Sequence, residues 1–151
     1  MNQNKIDIKN KKAYHKYEII DKYKAGIELL GTEIKSIRNG KASLNDAYCK
    51  FVKDELWIKM SISEYSHGGH YNHDPNRIRK LLLTKNELRK LQRKLVGSGF
   101  TIVPLRLFIT DKGWVKLIIA LAKGRKVHDH RENIKQKDAK REIARQKKHN
   151  N

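Results

Sequence analysis

Strict alternation is the feature that most limits what this chain can become. Leu56, Ile58, Met60 and Ile62 alternate with Trp57, Lys59 and Ser61. The same period returns in Leu105, Leu107 and Ile109, and again in Val115, Leu117, Ile119 and Leu121. Period two marks a strand with one buried face. The last two runs, within Phe100–Thr110 and Trp114–Ala122, flank Asp111-Lys112-Gly113, a short connection with Gly where positive φ is needed, so they read as a hairpin. Ala47–Val52 and Leu56–Ile62 around Lys53-Asp54-Glu55 read as another. Pro104 has no N–H to give, so its strand is expected at an edge or bulged there. With β signal also in Tyr14–Leu30 and Lys80–Leu83, the total is about six short strands in roughly 110 residues. The simplest way to bury their apolar faces without leaving edges is an antiparallel barrel closed over a helix.

One helix is written locally. Thr84-Lys85-Asn86-Glu87 is a capping box, Leu88, Leu91 and Leu95 form one stripe, and Gly97 or Gly99 can end it. A shorter helical turn is expected inside Lys24–Tyr48. There a β-like segment stops at Gly31, Thr32 is placed to cap, Ile34 and Ile37 share a face, and Asn39-Gly40 breaks the turn. Lys35, Arg38 and Lys41 fall on that corner, and residue type alone reads them as a solvated basic surface.

The chain has 151 residues, enough for one domain with a real core, and a formal charge of +19. Self-repulsion of that size favours a polyanionic partner, with phosphate backbones ahead of an anionic membrane. The longest apolar run, Leu117–Ala122, is too short to span a bilayer, and the polar start Met1–Lys5 has no signal-peptide core. Cys49 is alone, which excludes an intrachain disulfide and a cysteine-based zinc site. These features suggest a cytosolic binder of nucleic acid, RNA above all. Residues 1–12 read as a flexible basic arm, 13–122 as the barrel, and 123–151 as a basic tail. That tail holds 11 Lys/Arg against 4 acids and no continuous apolar stripe, since Ile134 and Ile143 fall on opposite sides of a helix. It is therefore expected to be disordered when free and helical along RNA, with a mere solubility tail as the plain alternative.

No catalytic signature stands up: there is no phosphate-cradling glycine loop, no serine elbow and no Cys–His pairing of familiar spacing. His67, His70 and His73 beside Asp74 have zinc-like spacing but sit in a loop rich in glycine, and a metal site needs rigid ligands. No metal and no cofactor is expected. Arg77-Ile78-Arg79-Lys80 leads into Leu81-Leu82-Leu83, where cations beside apolar groups suit phosphates and unstacked bases. All three leucines could be core, but alternation points Leu82 away from Leu81 and Leu83. Lys116 stands alone among apolar neighbours and either snorkels from the barrel wall or meets a phosphate.

Several of these segments occur together in one known series. Ala25-Gly26, Gly31–Lys41, Leu44–Tyr48, Asn72–Leu83, Gly124-Arg125-Lys126 and His128-Asp129-His130-Arg131 stand in order and at family spacing, from about Asn10 onward. The chain resembles the SmpB family, the SsrA-binding proteins of bacterial trans-translation. The resemblance implies a mainly β, OB-fold-like closed antiparallel barrel with flanking helices. It implies a monomeric, cytoplasmic RNA-binding adaptor without enzymatic activity, whose partners are the tRNA-like domain of transfer-messenger RNA and the ribosome, with no membrane. Carried over by position, Leu82 and Lys116 fall on the RNA-binding face, and Lys24 and the basic-run residues Arg79 and Lys80 are expected to contact RNA beside them. Gly124, Arg125, Lys126, His128, Asp129, His130 and Arg131 fall on the tail motif that works in the small-subunit decoding centre, with the tail probing the empty mRNA channel. Two positions depart from the pattern: Lys24 stands where the family usually has an acid, and His130 where it often has Lys. A structural protein of ribosomal type is the competing reading, and salt-washed ribosomes would retain that protein but release an adaptor.

Overall fold

In the computed structural model, which describes residues 6–125, six strands close on themselves and a seventh is laid along one of them. The order along the chain is β1 (Asp7–Lys9), α1 (Lys11–Lys16), β2 (Tyr17–Ile27), α2 (Gly31–Arg38), β3 (Ala42–Val52), β4 (Glu55–Ile62), β5 (Ile78–Leu82), α3 (Lys85–Leu95), β6 (Phe100–Ile109) and β7 (Val115–Gly124). Around the sheet the order is β1-β6-β3-β4-β5-β2-β7, and a β6–β7 pairing closes the ring. All pairings are antiparallel. β6 serves both β3, at Cys49–Ile102, and β1, at Asp7–Phe108, on different lengths of one edge.

The alternating runs are the lining. Leu56, Ile58, Met60 and Ile62 from β4, Leu107 and Ile109 from β6, and Leu117, Ile119 and Leu121 from β7 are all buried in one core. The turns obey the chemistry expected of them. Lys53 and Asp54 both take positive φ in the β3–β4 turn, and Gly113 has φ +87 between β6 and β7. α3 begins at the Thr84 box, with Glu87 N–H donating to Thr84 Oγ1 at 3.2 Å and Thr84 N–H to Glu87 Oε1 at 3.1 Å. Its Leu91 is fully buried against the barrel.

Pro104 marks a bulge, as expected, and the bulge has a consequence beyond the missing donor. The β6–β7 register shifts between Pro104 and Arg106. Leu105 is thereby turned to the outside of the wall, away from Leu107 and Ile109, with which simple alternation groups it. There it joins Val103, Ala120, Ala122 and Ala13 in a second, smaller core beneath α1. Asn10, itself buried, ties this corner together: its Nδ2 donates to the Pro104 carbonyl at 2.8 Å and its N–H to Leu105 O at 2.8 Å.

Several sequence readings are corrected here. The N-terminal segment is no loose arm from residue 7 onward, because β1 pairs with β6 and α1 packs on the outer wall. Tyr14–Lys16 is accordingly helical, and the strand begins only at Tyr17. Thr32 does not cap α2. The helix starts at Gly31, Leu30 N–H donates to Glu33 Oε1 at 2.7 Å, and the Thr32 hydroxyl instead meets His73 Nδ1 at 2.9 Å. At the far end only Gly40, not Asn39, takes positive φ. β7 also continues to Gly124, past the domain boundary expected at 122.

Candidate nucleic-acid interface

Residues that are distant in sequence meet in rows across the outside of the barrel. Gly26 on β2 is opposite Leu82 on β5 and opposite Lys116 on β7. Lys116 is in turn opposite Phe108 on β6. Side chains directly across antiparallel strands share a face, so Leu82, Gly26, Lys116 and Phe108 form one row. Gly26 is what lets the row close. A Cβ at that position would stand 3.2 Å from Leu82 Cβ and 3.7 Å from Lys116 Nζ. With hydrogen there instead, a leucine and an ammonium group come together over the strand. Leu82 remains 46% exposed, an unusual position for an aliphatic side chain held on a rigid sheet.

The adjoining row is set by Lys24 opposite Ile118, with Arg106 on the other side of Ile118. Lys24 is exposed, and its Nζ lies 5.7 Å from the centre of the Phe108 ring. Lys80 also points outward from β5, where its Nζ is 3.3 Å from Glu55 Oε1. Four of the five body residues expected on the RNA face, Lys24, Lys80, Leu82 and Lys116, therefore lie on the outside of three strands, β5, β2 and β7, that adjoin in that order.

Arg79 is the exception. It is wholly buried, and its Nε donates to Glu33 Oε2. Its Nη1 donates to Arg77 O at 2.7 Å and to Met60 O at 3.0 Å. Glu33 is buried too and accepts from Arg77 Nη2 at 2.6 Å. Burial alone would push the Glu33 carboxyl up, but the Arg77 guanidinium, the Leu30 N–H and Arg79 together hold it below the ordinary glutamate value. Arg79 thus bolts α2 and the loop before β5 to the barrel, and it presents nothing to a ligand. His73 is spent in the same way: Nδ1 on Thr32 and Nε2 on Ile62 O at 2.9 Å. Among the described residues no group of three or more His, Cys, Asp or Glu is placed to hold a metal ion.

Of the tail residues, two are described. Gly124 ends β7 opposite Tyr17, and exposed Arg125 donates its N–H to Lys16 O at 2.8 Å. Lys126, His128, Asp129, His130 and Arg131 lie outside the described residues.

A family model described as SmpB protein matches residues 7–149. The chain belongs to the SmpB family. Among curated SmpB-family relatives, an "SsrA-binding protein" of Bacteroides thetaiotaomicron is 58% identical over 96% of this chain and 97% of its own. One from Phocaeicola vulgatus is 60% identical over 93% of this chain and 94% of its own. A solved structure described as "tmRNA-SmpB: a journey to the center of the bacterial ribosome" matches with a TM-score of 0.67 at 41% identity, covering 81% of this chain and 86% of that one. The mainly β barrel expected from the sequence is the fold of this SmpB-family chain, and among the described residues no helix is long and apolar enough to cross a membrane.

Sequence reasoning missed one part of this surface and misplaced one residue on it. Gly26 was visible only as half of a motif, because its partners Leu82 and Lys116 are set by sheet register. Arg79 was the more avoidable error, since the alternation that turns Leu82 outward turns Arg79 and Leu81 inward together.

Proposed function

We propose that this SmpB-family chain is the RNA-binding adaptor of trans-translation. It binds the tRNA-like domain of transfer-messenger RNA and delivers it to ribosomes stalled without a stop codon, so that the incomplete polypeptide is tagged for degradation. It works in the cytoplasm and performs no catalysis of its own. The observation that carries the reading is the exposed Leu82 beside Lys116 across Gly26, an apolar and cationic pair fixed by three strands. A strand-borne pair of this kind fits an unstacked base with its phosphate. The names of the relatives and the tmRNA-SmpB assembly support the partner.

Lys24, Lys80, Leu82 and Lys116 are the body's RNA contacts in this reading. The tail residues Gly124, Arg125, Lys126, His128, Asp129, His130 and Arg131 act in the decoding centre, and the tail takes helical form in the vacant mRNA channel. Lys116→Ala tests the body. It should weaken binding of the tRNA-like domain and lower the slope of log affinity against log salt by about one counterion. An unchanged slope would make Lys116 a wall residue and no phosphate ligand.

A further inference from the structure

Phe108 is a half-buried aromatic ring with cations on several sides. Lys24 Nζ stands 5.7 Å from its centre and the Arg106 guanidinium carbon 4.8 Å. Lys116 is its cross-strand neighbour. A second pair of the same kind lies farther along β2, where Lys22 Nζ is 6.0 Å from the Tyr14 ring. Between the two pairs runs an open groove of about 430 Å³, floored by Leu105 and Ile118 and walled by Tyr14, Lys22, Lys24 and Arg106. Like charges gathered at this density repel, and an aromatic face offsets only part of that. Among the described residues Lys24 has no carboxylate partner, while Arg106 gives Nε to Asp7 at 2.7 Å and keeps its remaining N–H donors.

We propose that this groove is a second binding position for RNA backbone phosphate, with Lys24 and Arg106 as its ligands and Phe108 as the support that aligns them. It continues the Leu82–Lys116 row onto β6, so it rests on the RNA-binding reading above. It also gives Lys24 a role of its own. At that position this chain has a cation joined to Arg106 through one ring. Recognition on this side of the barrel is then carried by charge and shape, and phosphate contacts position an RNA without reading its bases.

The test is equilibrium binding of the full-length protein to a transcript of the tRNA-like domain over a series of salt concentrations. Lys24→Gln and Arg106→Gln should each lower affinity about three- to tenfold at physiological salt and reduce the salt slope by about 0.7 to 0.9. Lys24→Glu, which reverses the charge facing the phosphate, should cost more than the neutral change. Phe108→Leu keeps an apolar side chain on the wall and should still weaken binding, because the cations lose their support. If Lys24→Gln and Arg106→Gln match the unaltered protein in both affinity and slope, the groove is no phosphate site. Binding by Lys24→Glu as tight as that of the unaltered protein would overturn it equally. Parallel measurements on Leu82→Ala and Lys116→Ala separate the two readings. Loss there with no loss at Lys24 and Arg106 sinks the groove alone, while no loss at Leu82 and Lys116 sinks the RNA-binding face itself.

Discussion

Glu33 is a carboxylate without exposed surface that receives two guanidinium groups and a helix N–H. Removing one partner of such an arrangement leaves the others charged and unpaired in a dry place. Glu33→Ala should therefore lower unfolding stability by about 3–5 kcal/mol, as read from urea denaturation. The pH dependence has a definite sign. The folded carboxyl is held below its ordinary value, so its contribution is complete above that value and fades as pH falls through the lower, folded one. Stability of the native protein should then decline on acidification below the usual glutamate range, and Glu33→Gln should lack that part of the decline. An equal acid response in both proteins would remove Glu33 from the account. Alternation along β5 turns Arg79 inward, but the carboxylate it meets there could not be read from residue types, because Glu33 stands on a separate element.

Elements whose signals are local were the ones legible in the sequence. α3 is the clearest case, since its cap, stripe and terminating Gly97 all lie within a few residues of one another, and Gly97 does take φ +67. Thr84→Ala removes the hydroxyl that holds the Glu87 N–H and should cost about 1 kcal/mol in thermal or urea unfolding. No change would mean that packing of Leu91 alone holds the helix. α1 gave no such signal. It is six residues long, buries only Ala13, and exists because the outward face of β6 and β7 offers it an apolar seat. A helix shorter than about three turns is not stable by itself, so its cause is tertiary. β6 lies between these cases. Pro104 announced a bulge, but the side to which the bulge would turn Leu105 depended on pairing with β7.

At the scale of the molecule, closure is what makes the surface usable. The barrel aligns β5, β2 and β7 so that Leu82, Gly26 and Lys116 come into register, though they stand far apart in sequence. Fold class and partner chemistry were legible because alternation and a charge of +19 are properties of the whole chain. The composition of the face was not, because register decides it. The sequence from Lys123 onward adds a net +7. The central claim is a division of labour: the barrel holds the tRNA-like RNA, and the tail acts on the ribosome. Removing Val127–Asn151 and measuring affinity for the tRNA-like domain at moderate salt, alongside tagging on stalled ribosomes, tests it most directly. The account predicts affinity close to that of the full chain together with a loss of tagging. A shortened protein that no longer binds the RNA at moderate salt, or that still tags, would contradict it.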